Sequence, residues 1–184
     1  GVVMINGSES IDAVKDKLYS QQILGESNLP VPKTMLVKHP ININLVEKNL
    51  SYPMVVKTLS GSYGAGVFLV EDRKQFRQLM KMAEITKPSY NIILQEFIQD
   101  SYGKDLRVLV VNGKVVGCMM RQCISGECAR LLHLDIAGVD LLFNNGSYTI
   151  CEVNSAPGFE GMEKYTKINV SEEMVNYVVK KIGG

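Results

Sequence analysis

The sequence predicts an α+β fold, and three observations carry that prediction. The stretch "DLRVLVVNGKVVGCMMR" (105–121) sets two apolar strands about Asn112-Gly113. The stretch "GVDLLFNNGSYTICEVN" (138–154) repeats the device about Asn144-Asn145-Gly146. Asn-Gly between apolar runs is a strong short-range hairpin signal, because both central residues of the tight turn need positive φ. The helical patterns, thirdly, stand apart from these hairpins. Strands and helices that segregate in this way indicate α+β rather than a doubly wound parallel sheet.

Taken in order, the first helix is expected over 9–24, where Ile11, Val14 and Leu18 recur at helical spacing and Ser8 or Ser10 can cap it. "NLPVPKT" (28–34) reads as a proline-punctuated link. "PMVVKT" (53–58) and "GVFLVE" (66–71) read as strands around a glycine loop, and Phe76, Leu79, Met80 and Ala83 mark a second helix. "NIILQEFI" (91–98) is the next strand, followed by the two hairpins. Ser171 is the expected cap of a last helix whose first turn carries Glu172 and Glu173, favourable to the helix dipole. A lobe boundary is expected near 97–104.

Bulk properties narrow the class. The chain has 184 residues, 46% hydrophobic and 21% charged, an ordinary globular balance. The formal net charge of +1 supplies no global field for nucleic acid or an anionic membrane. No apolar run approaches the roughly 20 residues of a membrane helix. Cys118, Cys123, Cys128 and Cys151 form no C-x-x-C pair, and only His39 and His133 could complete a zinc site with them. Their neighbours read as apolar strand residues. Reduced, mostly buried thiols in a cytoplasmic protein are the expected state.

Three clusters carry chemistry. In "VVKTLSGSYGAGVFLV" a strand delivers Lys57, then Ser60, Gly61, Ser62, Gly64 and Gly66 follow. Glycines let backbone N–H groups approach an anion, and a lysine adds a point charge for phosphate. The lysine precedes the loop and no helix opens after it, so neither the Walker nor the dinucleotide fingerprint fits. A plain turn is the other reading. In "TICEVNSAPGF" (149–159) strict alternation puts Ile150, Glu152 and Asn154 on one face, and the hairpin turn returns that strand beside Asp140. Three oxygen donors on adjacent strands suit Mg²⁺ or Mn²⁺; a solvated polar strand end is the alternative. In "QEFIQDSYGKDLR" Asp105 and Arg107 point to one face, with Arg121 at the far end of the same hairpin. Guanidinium groups can grip phosphate or carboxylate in bidentate fashion, or simply form a surface ion pair.

In this order the pieces resemble the ATP-grasp superfamily, and most of all its RimK-type branch of glutamate ligases. The matching stretches are "KDKLYSQQIL", "LPVPKT", "YPMVVKTLSGSYGAGVFLVED", "ILQEFIQDSYGKDLRVLVVNGKVVGCMMR", "LDIAGVDLL" and "CEVNSAPGFEGMEKYTKINV". The resemblance implies two α+β lobes gripping ATP. It divides the chain into 1–12 as the remnant of a preceding N-terminal domain, 13–97 as the first lobe with its glycine-rich loop, and 98–184 as the second lobe with the metal site. It implies that Lys17 and Lys57 contact the phosphates or adenine side. Gln95, Glu96, Phe97 and Ile98 form a hinge whose backbone reads the adenine edge, and Asp105 is a nucleotide contact. Asp140, Glu152 and Asn154 match the family's metal ligands, for two Mg²⁺ or Mn²⁺ ions. Arg107 and Arg121 stand where the family puts catalytic cations.

The implied chemistry is ligation: ATP activates a substrate carboxylate as an acyl phosphate, and an amine displaces phosphate. The expected amine is glutamate or a similar amino acid. The expected acceptor is a peptide, a protein C-terminus or a small acid. No covalent enzyme nucleophile is required; positioning and charge stabilisation do the work. Two departures stand out. "GVVMINGSESID" resembles only the tail of the family's additional N-terminal domain, and "RQCISGE" runs directly into "CARLLHLDIAGVD" without the basic, glycine-rich segment of relatives. An ATP-binding regulatory module of the same fold is the competing function. An RNA-binding domain ranks last, because paired exposed aromatics on a strand and a basic balance are both missing. No membrane or direct nucleic-acid partner is expected, and an oligomer is compatible with the sequence.

Overall fold

The computed structural model describes residues 2–58, 66–86, 89, 91–117 and 122–183. Its described residues form helices α1 (Ser8–Lys15), α2 (Lys17–Glu26), α3 (Ile43–Asn49), α4 (Arg73–Thr86), α5 (Gln122–Leu131), α6 (Glu160–Thr166) and α7 (Val170–Lys181). The strands are β1 (Thr34–Val37), β2 (Met54–Thr58), β3 (Val67–Val70), β4 (Ile92–Glu96), β5 (Leu106–Val111), β6 (Lys114–Val115), β7 (Ile136–Asn144) and β8 (Ser147–Asn154). They make two four-stranded sheets ordered β1-β4-β2-β3 and β6-β5-β7-β8. Every pairing is antiparallel, so the α+β expectation holds.

The chain divides into two compact units, one of residues 32–99 and one of 1–31 with 100–184. In the first, Met54, Val56, Ile92, Leu94 and Val70 line one sheet face and pack with Phe76 and Met80 of α4 and Val46 of α3. In the second, Val108, Val110, Val139, Leu141, Ile150 and Val153 pack with Val14, Leu24, Cys128 and Ala129 from α1, α2 and α5, and with Leu132 just past the end of α5. Residues 13–31, expected in the first lobe, therefore share the core of 100–184. The edge of β8 gives a second reason. Ile150 N–H donates to Pro30 O at 2.7 Å, and the Gln21 amide donates to Cys151 O at 3.1 Å. Edge-strand groups need partners, and this segment supplies them.

Several local expectations are corrected. The 9–24 helix is two helices broken at Asp16, which sits at φ −81, ψ 98 and accepts from Leu18 N and Tyr19 N to cap α2. An aspartate competes with the helix for backbone donors, so it starts a helix better than it continues one. Gly7 is the N-cap of α1, and Ser10 Oγ donates instead to His133 O. Thr34, the last residue of what reads as a link, opens β1. Asn169, not Ser171, caps α7, and Ser171 bonds Glu163. Cys128 lies on helix α5, not on a strand, and burial lifts its thiol pKa to about 12.

The start of β7 is tied to the C-terminal helix by Asp135, which bonds Tyr177 and pairs with Lys181 at 2.6 Å. Burial pushes the Asp135 carboxyl up, but Lys181, Tyr177 and the Asn6 N–H outweigh it and hold the carboxyl below its ordinary range. A depressed folded pKa contributes stability above the unfolded value of about 3.9 and loses it as pH falls through the folded value. Thermal melts of wild type and Asp135→Asn should therefore differ most near neutrality and converge below about pH 4. A constant difference in midpoint down to the acid limb would contradict this.

Candidate nucleotide and metal site

The unit of residues 32–99 presents a polar line on the sheet face opposite its core. Register pairs Thr34 with Gln95 and Val55 with Gln95, while Lys57 lies diagonally across, opposite Ile93. Side chains on one face at such diagonals reach each other. Lys57 Nζ donates to Gln95 Oε1 at 2.6 Å, and Gln95 Nε2 donates to Thr34 Oγ1 at 3.0 Å. Gln95 is buried, so both ends of its amide are fixed by partners. Thr34 was not singled out by the sequence; only the strand register reveals it. Around the line lie Leu36, Val55, Val67, Leu69 and Ile93, an apolar surround for a charged group.

The residues expected to form a hinge follow directly. Glu96 N–H donates to Lys33 O at 2.9 Å, and Glu96 Oε2 accepts from Lys33 N–H at 3.1 Å. Ile98 is buried. Beside them lies a pocket of about 240 Å³ lined in part by Lys33, Tyr52, Pro53, Glu96 and Phe97. That is below the size of typical small-molecule sites, so it does not hold a whole nucleotide. Tyr52 donates to Glu47 there, and burial, then Glu47, lift its pKa to about 12. Of the glycine loop, Ser60, Gly61, Ser62 and Gly64 lie outside the described residues. Gly66 is described: it sits at φ +82, and a Cβ there would stand 2.3 Å from Thr58 Oγ1. Only glycine fits, and Thr58 N–H closes the loop base on Gly66 O at 3.0 Å.

The other unit carries the acidic cluster, on the β5-β7-β8 face opposite its core. Arg107 pairs in register with Asp140, and Asp140 with Glu152. The guanidinium makes a bidentate bond: Arg107 Nε to Asp140 Oδ1 and Nη2 to Oδ2, each 2.7 Å. Asn154 Nδ2 reaches Asp140 Oδ2 at 3.4 Å. Lys17 Nζ, from the first residue of α2, lies 3.3 Å from Glu152 Oε1. Asp140 is 6% exposed. The Arg107 pKa rises above its ordinary value, first through the Asp140 hydrogen bond, against burial, with the charges of Asp140, Asp105 and Glu152 adding. Asp105 is exposed, and Arg107 takes Asp140 rather than Asp105 as its bonded partner. Arg121 lies outside the described residues.

Strict alternation along 149–154 is not what the structure shows. Register runs Leu141↔Ile150, then Asp140↔Glu152, leaving Cys151 as an extra residue. The bulge lets Ile150 and Val153 both face the core while Glu152 and Asn154 face outward. Without it, Ile150 and Glu152 would share a face. Bulges of this kind re-aim side chains next to sites.

The donors fit a hard divalent cation: two carboxylates in register and an amide two pairs further on, on the same face, all oxygen-bearing groups. Among the described residues no three His, Cys, Asp or Glu converge, so a softer zinc-type set is not formed by them. Lys17 and Arg107 beside the carboxylates provide charge that anionic oxygens can share.

A family model described as the RimK-like ATP-grasp domain matches residues 14–129 and 122–178. A probable alpha-L-glutamate ligase of Marinomonas sp. (strain MWYL1) is 34% identical, over 98% of this chain and 68% of its own length. A probable alpha-L-glutamate ligase of Shewanella halifaxensis (strain HAW-EB4) is 30% identical, over 99% of this chain but 45% of its own length. Among solved structures, the ATP-grasp ligase PsnB, complexed with a phosphomimetic variant of minimal precursor, Mg and ADP, superposes with a TM-score of 0.77 at 16% identity, covering 99% of this chain and 63% of that one. D-alanine–D-alanine ligase from Bacillus anthracis gives 0.76 at 17% identity, over 94% of this chain and 68% of that one. The chain thus spans between 45% and 68% of these proteins' lengths. The structural likenesses establish the ATP-grasp fold, and by the family match together with its sequence relatives the chain belongs to the RimK-like ATP-grasp domain family.

Proposed function

We infer that the chain is an ATP-dependent carboxylate–amine ligase that adds glutamate, or a similar amino acid, to a carboxylate of a peptide, a protein C-terminus or a small acid. The observation that carries this is the outward face of β5, β7 and β8. There the bulge turns Glu152 and Asn154 toward Asp140, and Arg107 is fixed by both Asp140 oxygens. Hard oxygen donors beside a fixed guanidinium are what phosphoryl transfer asks of a protein. A binding-only module needs less, and the sequence relatives are named ligases.

Each residue has a part in this reading. Lys57, oriented by Gln95, supplies positive charge to the triphosphate, helped by Ser60, Gly61, Ser62, Gly64 and Gly66. Glu96, Phe97 and Ile98 offer backbone to the adenine edge, and Asp105 a further nucleotide contact. Asp140, Glu152 and Asn154 would hold two Mg²⁺ or Mn²⁺ ions, which when bound neutralise charge on the transferred phosphoryl group. Lys17 balances Glu152. Arg107 and Arg121 supply cations to the transferred phosphoryl group and to a substrate carboxylate.

The reaction runs in two steps. A carboxylate oxygen bonds to the γ-phosphorus while the bond to the β-bridging oxygen breaks and ADP leaves with the electron pair. The amine nitrogen then attacks the acyl carbon, phosphate leaves, and the ammonium loses its proton to water. No side chain becomes covalently attached, which agrees with a site of cations and carboxylates. Among the described residues no helix is long and apolar enough to cross a membrane. We place the reaction in the cytoplasm, where ATP and reduced thiols coexist.

The test is ADP release with ATP, Mg²⁺, glutamate and a panel of peptide and small-acid acceptors, with products weighed by mass spectrometry. A product heavier than its acceptor by one glutamate residue is expected. Tight ATP binding with no amino-acid-dependent ADP release would instead make the chain a regulatory module. Ligation of amines lacking a carboxylate would remove glutamate and keep the ligase.

A further inference from the structure

We infer that Asn6 is a positioning residue for the metal-binding end of β8. The inference rests on the reading of Asp140, Glu152 and Asn154 as ligands of a divalent cation. Asn6 is far from them in sequence and lies in a segment whose pattern reads as a leftover tail. Yet it is 4% exposed and sits at φ +58, a left-handed conformation that asparagine tolerates better than other side-chain-bearing residues.

Its side-chain amide is fully used. Oδ1 accepts from Asp135 N–H at 2.7 Å and from Ile136 N–H at 3.0 Å. Nδ2 donates to Ile136 O at 2.8 Å and to Ser155 O at 2.7 Å. The Asn6 N–H itself donates to Asp135 Oδ2 at 3.0 Å. An amide has two donors and an acceptor oxygen with two lone pairs, so all four places are filled.

What those bonds join gives Asn6 its role. The β7–β8 ladder ends at the pair Gly138↔Asn154. Beyond it no ladder bond holds the end of β8. Asn6 takes over there, clamping the entry to β7 at Asp135 and Ile136 to the first residue after Asn154. The following turn folds tightly over the same place: a Cβ on Gly138 would lie 2.6 Å from Pro157 Cβ. Asn6 and the Gly138–Pro157 approach thus fix the exit of β8 from two sides, and Asn154 and Glu152 are the last outward-facing residues before it. Removing a partner that orients metal ligands commonly weakens metal affinity by about 10- to 100-fold.

The experiment compares the chain with Asn6→Ala, Asn6→Gly and Lys181→Ala. The last loosens the same Asp135 anchor without touching Ser155. Circular dichroism establishes that each is folded at the assay temperature. Hydrogen exchange of peptides spanning 150–157 reads the strand end directly, and electron paramagnetic resonance of free Mn²⁺ reads cation affinity in the presence of a non-hydrolysable ATP analogue. Asn6→Ala is expected to speed exchange at 150–157 and weaken Mn²⁺ binding about tenfold. Asn6→Gly, which suits the positive φ and removes the same side-chain amide, should do the same, so the inference stays testable if Asn6→Ala fails to fold. Lys181→Ala should leave both readings within twofold. Unchanged exchange, or Mn²⁺ affinity within twofold of wild type, in the folded Asn6→Ala or Asn6→Gly variant overturns the inference. A Glu152→Gln control separates the two claims: if it binds Mn²⁺ as wild type does, the metal-ligand reading falls first and this inference with it, whatever the exchange rates.

Discussion

Glu152→Gln is expected to lower metal-dependent kcat about 10³-fold, roughly 4 kcal/mol of transition-state stabilisation, with little change in thermal midpoint. The two halves of this expectation have separate causes. The substitution keeps the shape of the side chain and leaves the core face, Ile150 and Val153, untouched. The ion pair it removes, Lys17 to Glu152 at 3.3 Å, joins side chains that are 28% and 38% exposed. Pairs this accessible to water contribute about 0–1 kcal/mol, so the fold loses little. The amide, however, offers a neutral oxygen where a hard dication wants a charged one. The loss should appear in kcat and in the Mg²⁺ concentration needed for half-maximal rate. Asp140→Asn makes the contrast, because Asp140 is buried and bonds Arg107 through both oxygens. Removing its charge weakens a bidentate pair and should reduce stability as well as rate. Kinetics over a Mg²⁺ titration, beside thermal melts of both variants, checks the pair. Normal turnover of Glu152→Gln at limiting metal would leave the end of β8 as a solvated strand end.

Much of this arrangement could be read in the sequence because short-range rules decide it. Asn112-Gly113 and Asn145-Gly146 adopt positive φ at 50° and 70°, and at 49° and 78°. The second of these turns brings Glu152 back beside Asp140, as the hairpin pattern requires. The glycine loop, the lysine before it and the carboxylate–amide strand end carry chemistry in their residue types alone. What escaped was set by contacts distant in sequence. The bulge at Cys151 is a packing decision: only by inserting a residue can Ile150 and Val153 both reach the core and Glu152 face Asp140. The allegiance of residues 13–31 depends on Gln21 and Pro30 meeting the edge of β8, which no local pattern announces. The break at Asp16 was legible in principle, since aspartate followed by a helical run signals a cap, but the apolar spacing of Ile11, Val14 and Leu18 runs straight across it. Thr34 was hidden for a similar reason. Its pairing with Gln95 depends on β1 joining β4, a connection across 61 positions.

Lys57→Ala is expected to weaken ATP binding on the order of 10- to 100-fold, the equivalent of about 1.5–3 kcal/mol for a hydrogen bond to a charged group. Lys57 stands on β2, a strand paired on both sides, by β3 and by β4, so its backbone is held rigidly. Its ammonium is aimed by Gln95, and Gln95 in turn by Thr34. A charge oriented in advance loses less entropy on meeting phosphate than a floppy surface lysine does. The expected effect is therefore at the upper part of that range for Lys57→Ala and smaller for Gln95→Ala, which keeps the charge and frees its direction. Thr34→Val, removing only the last link, should be smaller again. This ordering is the informative part, because a lysine that merely satisfied Gln95 would give no gradient in ATP affinity. Isothermal titration with a non-hydrolysable ATP analogue and Mg²⁺ measures all three. The loss of stability on Lys57→Ala should stay small, since water can reach the partly buried Gln95–Lys57 contact once the side chain is gone. Wild-type nucleotide affinity in a folded Lys57→Ala variant would remove Lys57 from the site and leave the polar line across β1, β4 and β2 a structural feature of the sheet.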